Sequence, residues 1–249
     1  MQRNIITLVL LRYLSCGFSQ TQTIETDRPD QTETPALVPL KHFQLESGFN
    51  IEKTDGQFTY VHPTMLWKVG ILRSTELRLI TEVITTQDTA GTWRTGLAPV
   101  QLGFKTAICE EKKGRPRISF IGHIAVPPFS SKSQRTKYVA PNFRFVLDHS
   151  LTDKISLGYN AGMEWDGFSP QPAFIYTIAN GYDLSDKWYF YYEFFGDFPV
   201  GERSNHSFDM GLAWLIRNNL QADISGGFQL YPFVKSWYTA LGFSVLLPR

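Results

Sequence analysis

The sequence predicts an all-β protein, a transmembrane antiparallel β-barrel of about twelve strands, and three observations lead to this class. Aromatic residues make up 14% of the 249 residues, and they favour strands and the interfacial girdles of barrels. Residues 154–165 alternate apolar and polar side chains, as a strand with two different surroundings does. Short turns alternate with longer hydrophilic connections, as expected for short periplasmic turns and longer extracellular loops.

Composition argues against several other classes. Hydrophobic residues make up 43% of the chain and the mean hydropathy is −0.18, which excludes a disordered chain and a helical membrane bundle. The net charge is +1 without a block of like charge, so no nucleic acid is expected as a partner. A soluble β-sandwich would share the strand pattern, but these strands have the roughly 9 to 11 residues that cross a bilayer.

Residues 1–19 are predicted to be a secretory signal peptide, removed by cleavage. Arg3 supplies a charged start, an apolar run follows, and residues 17–19 form a small-x-small cleavage site. Arg12 interrupts the run, and the alternatives are a first strand, a disordered tail or a lipid-modified Cys16. Cleavage would leave Cys109 alone, without an intramolecular disulfide. The expected location is the outer membrane of a Gram-negative bacterium.

Residues 20–41 form a polar segment without a strand pattern. Pro35 and Pro39 argue against a helix or a central strand there. The segment is either a periplasmic tether or a plug that folds back into the lumen. Its motif is Asp27-Arg28-Pro29-Asp30, in which both aspartates are candidates to pair with wall arginines.

Residues 42–249 are predicted to form the barrel. The predicted strands are residues 43–52, 58–67, 76–83, 100–109, 118–126, 142–148, 154–165, 173–182, 188–195, 208–214, 220–229 and 237–247. The second is interrupted by Pro63 and alternates imperfectly. Connections after strands three, five and nine, residues 85–97, 127–139 and 196–205, are long and polar, whereas those after the even-numbered strands up to ten are short. An even strand number is typical of bacterial barrels.

The polar side chains of these strands are predicted to face the lumen, because a charge facing lipid at mid-bilayer costs about 2–4 kcal/mol. The candidate lumen-lining residues are Glu46, Glu76, Arg78, Glu82, Lys105, Arg144, Glu164, Glu193, Asp209 and Asp223, together with Asp148 and Gln221. Acidic groups outnumber basic ones, so an open pore would favour cations weakly. Alternatively, the cations pair with neighbouring carboxylates and fill a narrow lumen.

No catalytic or metal-binding pattern is recognised. The sequence contains no GxSxG, HExxH, P-loop or paired-cysteine spacing, and the adjacent His206 and Ser207 point to opposite faces of a strand. We therefore expect no enzyme, cofactor or metal, with a lipid-modifying enzyme as the least favoured alternative. The loop cations Lys132, Arg135 and Lys137 are candidates to contact lipopolysaccharide phosphates. Expected partners are outer-membrane lipids, lipopolysaccharide and small solutes, and the barrel is a monomer or small homo-oligomer.

Several stretches carry a resemblance to a known family. IETDRPDQTETP at residues 24–35, FQLESGF at 43–49, and the closing QADISGGFQL and ALGFSVLLPR resemble the outer-membrane barrels grouped as "MetA-pathway of phenol degradation". The resemblance covers nearly the whole mature chain, and it implies a barrel and passage of small compounds, among them aromatic ones. It brings no catalytic residues. The chain ends in Leu-Leu-Pro-Arg, not in the Phe or Trp common among such barrels.

The sequence thus predicts a porin-like outer-membrane channel or transporter for passive passage of small molecules. The alternative is a closed barrel with a structural or interaction role.

Overall fold

The computed structural model describes residues 23–88, 90–112, 114–232 and 235–248. The predicted signal peptide lies outside the described residues. Within them, no helix is long and apolar enough to cross a membrane.

Strands make up nearly all of the regular structure. They are β1 (His42–Thr54), β2 (Gln57–Leu72), β3 (Thr75–Gln87), β4 (Trp93–Leu97), β5 (Val100–Cys109), β6 (Arg117–Val126), β7 (Ala140–Thr152), β8 (Ile155–Glu164), β9 (Ala173–Ser185), β10 (Trp188–Pro199), β11 (Asn205–Arg217), β12 (Leu220–Tyr231) and β13 (Ser236–Pro248). Two 3-10 turns, Pro127–Phe129 and Lys132–Gln134, lie between β6 and β7.

The sheet closes on itself. Each strand pairs antiparallel with the next, except that β4 and β5 both pair with β3, and β1 pairs with both β2 and β13. The end of β3, Val83 to Gln87, pairs with β4, while its first half pairs with β5. Because β5 and β4 pair with successive parts of β3, they form a single strand of the barrel. The predicted closed barrel of twelve antiparallel strands is confirmed.

The two rims of the barrel differ. β1 begins and β13 ends at one of them, the near rim, where His42 pairs with Pro248. Four near-rim turns have two residues and the fifth spans residues 110–116. At the far rim the connections are residues 55–56, 88–92, 127–139, 165–172, 200–204 and 232–235. Short turns mark the periplasmic side of such barrels, so the near rim is assigned to the periplasm.

One predicted connection was wrong. Residues 85–97 were expected to be a long loop, but β3 continues to Gln87 and β4 begins at Trp93. β4 has the sequence WRTGL, whose first three residues are exposed, and it lacks the alternation by which the other strands were recognised.

The outer wall is apolar and the inner wall is charged. Large apolar side chains that point outward, such as Leu77, Leu102 and Phe243, are about half exposed. Glu76, Lys105 and other polar side chains of the opposite phase are completely buried. This is the reverse of a soluble protein, and it follows from lipid outside the barrel and polar partners inside it.

Candidate functional site

The described part of the segment before β1, residues 23–41, lies inside the barrel. It contacts inward side chains of nine strands, namely β1, β2, β3, β5, β6, β8, β9, β10 and β12. At the near rim, Ile24 N–H donates to the Asn218 carbonyl at 2.7 Å, and Ile24 and Val38 pack with Leu246 in a small apolar cluster. Beyond this cluster, hydrogen bonds and ion pairs connect the segment to the wall.

Three wall cations converge on one carboxylate of the segment. Lys68 of β2, Arg78 of β3 and Lys105 of β5, which we call the cation triad, are buried. The Asp27 carboxylate lies 2.7 Å from Lys105 Nζ, 2.8 Å from Lys68 Nζ and 3.0 Å from Arg78 Nη2. Burial raises the pKa of Asp27, but the three cations outweigh it and hold this pKa well below its usual value. Asp27 is therefore ionised in the lumen.

Two further carboxylates share the triad. Glu33 of the segment lies 2.9 Å from the Arg78 guanidinium and 3.7 Å from the Lys105 ammonium. Glu46 of β1 pairs with the lysine of β2 and accepts the backbone N–H groups of Asp27 and Arg28 at 3.1 Å. This wall therefore binds both side chains and backbone of the segment.

Arg28 binds the opposite, acidic wall. Its Nη2 and Nε atoms donate to the two carboxylate oxygens of Asp223 at 2.8 and 3.3 Å, a bidentate pair. Its guanidinium lies over Gly48 of β1 and Gly242 of β13, which are register partners. A Cβ atom at either glycine would overlap the guanidinium, so a larger residue at either position would displace the Arg28 side chain from this close approach.

The acidic wall continues at β10 and β11. Thr32 donates its N–H and its hydroxyl to Glu193 at 2.9 and 2.6 Å, and its hydroxyl lies 2.8 Å from that of Thr177. Glu193 is the register partner of Asp209. Burial, together with the negative charge of Glu193, raises the pKa of Asp30 well above its usual value. The two aspartates of the motif thus have opposite surroundings.

The segment separates two cavities. The far-rim cavity has a volume of about 350 Å³ and is lined by Glu82, His123 and Arg144 of the wall. The near-rim cavity has a volume of about 440 Å³ and is lined by Asp148 and Tyr189, among others. Arg28, Asp30 and Glu33 line both cavities. The motif therefore stands between the two ends of the lumen.

The structure brings together much of the predicted lumen set. Glu46, Glu76, Arg78, Lys105, Glu193, Asp209 and Asp223 are buried in the inner wall. Arg144 lies 3.9 Å from Glu164, which is further toward the far rim, Glu82 accepts from the Thr64 hydroxyl at 3.0 Å, and Gln221 donates to the Thr26 hydroxyl at 2.8 Å. Asp27 contacts Arg78 but also two lysines, whereas Asp30 faces acidic neighbours, contrary to the expectation of an arginine.

Sequence reasoning missed Lys68. Residues 68–70 were interpreted as a short turn between the second and third strands, but β2 continues to Leu72. Extending the alternation of Met65 and Trp67, which point outward, would have placed Lys68 on the inner face. The signal was present, and the early end assigned to the strand concealed it.

The histidine at the far rim has an aromatic partner. His206 Nδ1 lies 2.8 Å from the Tyr176 hydroxyl, while Ser207 is on the other face of β11. Across the described ranges, no group of three or more His, Cys, Asp and Glu side chains is arranged to hold a metal ion.

A closed barrel with an apolar outer wall and a charged lumen defines the class as a transmembrane β-barrel. Residues 26–247 match the family model described as "Putative MetA-pathway of phenol degradation". The chain belongs to that family, as its sequence motifs indicate. No curated protein matches it significantly.

Several solved barrels share the fold. An outer membrane channel from Pseudomonas putida F1 aligns with a TM-score of 0.68 and 11% identity, covering 90% of this chain and 100% of that one. The NanC porin aligns with a TM-score of 0.57 and 9% identity, covering 81% and 98%. The KdgM porin, in complex with disordered oligogalacturonate, aligns with a TM-score of 0.55 and 10% identity, covering 80% and 98%. At these identities the likeness concerns the fold.

Proposed function

We propose that the protein is a channel for passive passage of small solutes, among them aromatic compounds, and that residues 20–41 are a plug that closes it. The observation that carries the proposal is the position of Arg28 and Glu33 between two cavities, with Asp27 and Arg28 bonded to different walls of the lumen. The family's name and the channels that share the fold agree with passage of solutes. We propose no catalytic role.

The kind of bonding favours a plug that can leave. Apart from the cluster around Ile24 and Val38, the plug is bound by polar groups, and water can replace such partners when the plug withdraws. Buried ion pairs are in addition weak sources of net stability, because desolvation offsets much of the Coulomb attraction. An apolar filler would instead lose its whole hydrophobic contribution on leaving.

Single-channel recording in planar bilayers tests the proposal. The mature chain is compared with a variant that lacks residues 21–39. We expect rare conductance steps from the mature chain and frequent steps from the shortened barrel. A shortened, folded barrel without steps would contradict the proposal and favour the closed structural barrel.

A reversible lock tests whether the plug must move. The Thr32 and Thr177 hydroxyls are 2.8 Å apart, near enough for cysteines at both positions to form a disulfide after small adjustments. The double variant T32C/T177C is made with C109S, since Cys109 is the free cysteine of the described residues. We expect no openings when oxidised and recovery after reduction, with the two single-cysteine variants as controls. Equal conductance in both redox states would count against plug movement.

A further inference from the structure

We propose that the channel takes small monocarboxylates, which bind the cation triad in the place that Asp27 occupies. This inference rests on the proposed function, because the triad must be vacated by the plug. It adds the class of solute and the groups that recognise it.

The triad belongs to the wall and stays when the plug leaves. Lys68 and Arg78 are register partners on β2 and β3, and Lys105 of β5 is the register partner of Glu76 of β3. Three adjacent barrel strands therefore fix the three cations, and the ladder bonds that hold them do not involve residues 23–41.

Charge at the triad is unbalanced without the plug. The wall supplies Glu46 and Glu76, which pair with the triad, and the plug supplies Asp27 and Glu33. Three cations would then face two wall carboxylates. A buried charge needs a partner. An entering anion therefore restores the negative charge that was lost when the plug left.

One N–H donor of the triad makes no hydrogen bond among the described residues. Arg78 Nε is buried, and it has no hydrogen-bond partner among the described residues; Glu76 is 3.9 Å away. A guanidinium presents five N–H donors in a planar fork suited to a carboxylate. A free carboxylate is not tied to a backbone as Asp27 is, so it can turn to accept from Nε as well.

Surrounding charge limits the solute. Glu193, Asp209 and Asp223 form an acidic facing wall, which disfavours a second negative charge. One carboxylate on an otherwise neutral body meets this limit, which favours monocarboxylates over dicarboxylates.

The test uses the barrel without residues 21–39 in planar bilayers with KCl. Benzoate is added as the probe, with benzamide as its neutral counterpart and phthalate as a dicarboxylate of similar size. We expect benzoate to block the current in the millimolar range, and benzamide and phthalate to need at least tenfold higher concentrations. The variant K105M should raise the half-blocking concentration of benzoate at least tenfold, whereas K154M, in an exposed near-rim turn, should leave it within twofold.

The outcomes separate the two proposals. Equal block by benzoate and benzamide from a conducting barrel would overturn the monocarboxylate inference and leave the channel proposal standing. No conductance from a folded barrel without residues 21–39 would overturn both. The comparison of the two probes needs no wall variant, so it decides the inference even where K105M does not fold, which heat-modifiable migration in gels reveals.

Discussion

Replacing Asp27 by asparagine should open the channel. Asn has nearly the same volume, but it carries no charge and turns an N–H₂ group toward three buried cations. Removing one partner of a buried pair costs about 3–5 kcal/mol. We take the lower end of this range, because Glu33 and Glu46 remain beside the triad.

A loss of about 3 kcal/mol corresponds to a roughly 150-fold rise in the ratio of open to closed channels. Single-channel recording of the complete mature chain measures this ratio directly from the open probability. Because D27N leaves the length and volume of the plug unchanged, a higher open probability would reflect the lost ion pairs. An open probability equal to that of the wild type would refute the argument that Asp27 holds the plug.

Three further predictions follow from the same contacts. D30N should lower the open probability, because Asp30 faces acidic neighbours and its pKa is raised well above its usual value in the closed lumen; higher open probability would contradict this. Acidification should open the wild-type channel. The pKa of Asp27 in the closed lumen is held well below 3.8. The contribution of the Asp27 carboxylate to closure is therefore fully present above pH 3.8 and is lost as the pH falls through the lowered pKa. D27N should lack this response, and recordings of both the wild type and D27N between pH 2 and pH 5 measure the difference. G48A should displace the Arg28 guanidinium. A hydrogen bond to a charged group contributes about 1.5–3 kcal/mol, so its loss should raise the ratio of open to closed channels by roughly 10- to 100-fold. G122A is the matched control, because a Cβ atom there would meet only flexible rings.

Most of the barrel could be predicted from the sequence because lipid and lumen impose opposite polarity on alternate residues. Residues 154–165 show this most clearly, and β8 runs from Ile155 to Glu164. The signal fails where this alternation is missing. β4 is such a strand, and its sequence WRTGL is typical of a loop.

The contacts of the plug had less support in the sequence. Arg28 and Asp223 are 195 positions apart, and a local pattern carries no information on that pairing. The aspartates of the motif are three positions apart and alike in sequence context, yet one contacts the cation triad and the other the acidic wall. What distinguishes them is the wall that each side chain reaches, which depends on closure of the whole barrel.

Counting lumen charges also concealed their arrangement. An acidic majority predicts a weak cation preference for the pore as a whole. That expectation treats the lumen as uniform, whereas the cation triad and the acidic wall lie on different sides of it. The cations lie on β2, β3 and β5, and Glu193, Asp209 and Asp223 lie on β10, β11 and β12. A small ion passing along the acidic wall and a carboxylate binding the cation triad therefore use different sides of one pore. Asp27 and Arg28 are adjacent and bind different sides of the lumen, so we expect that loosening one shifts the backbone that positions the other and that both walls release the plug together.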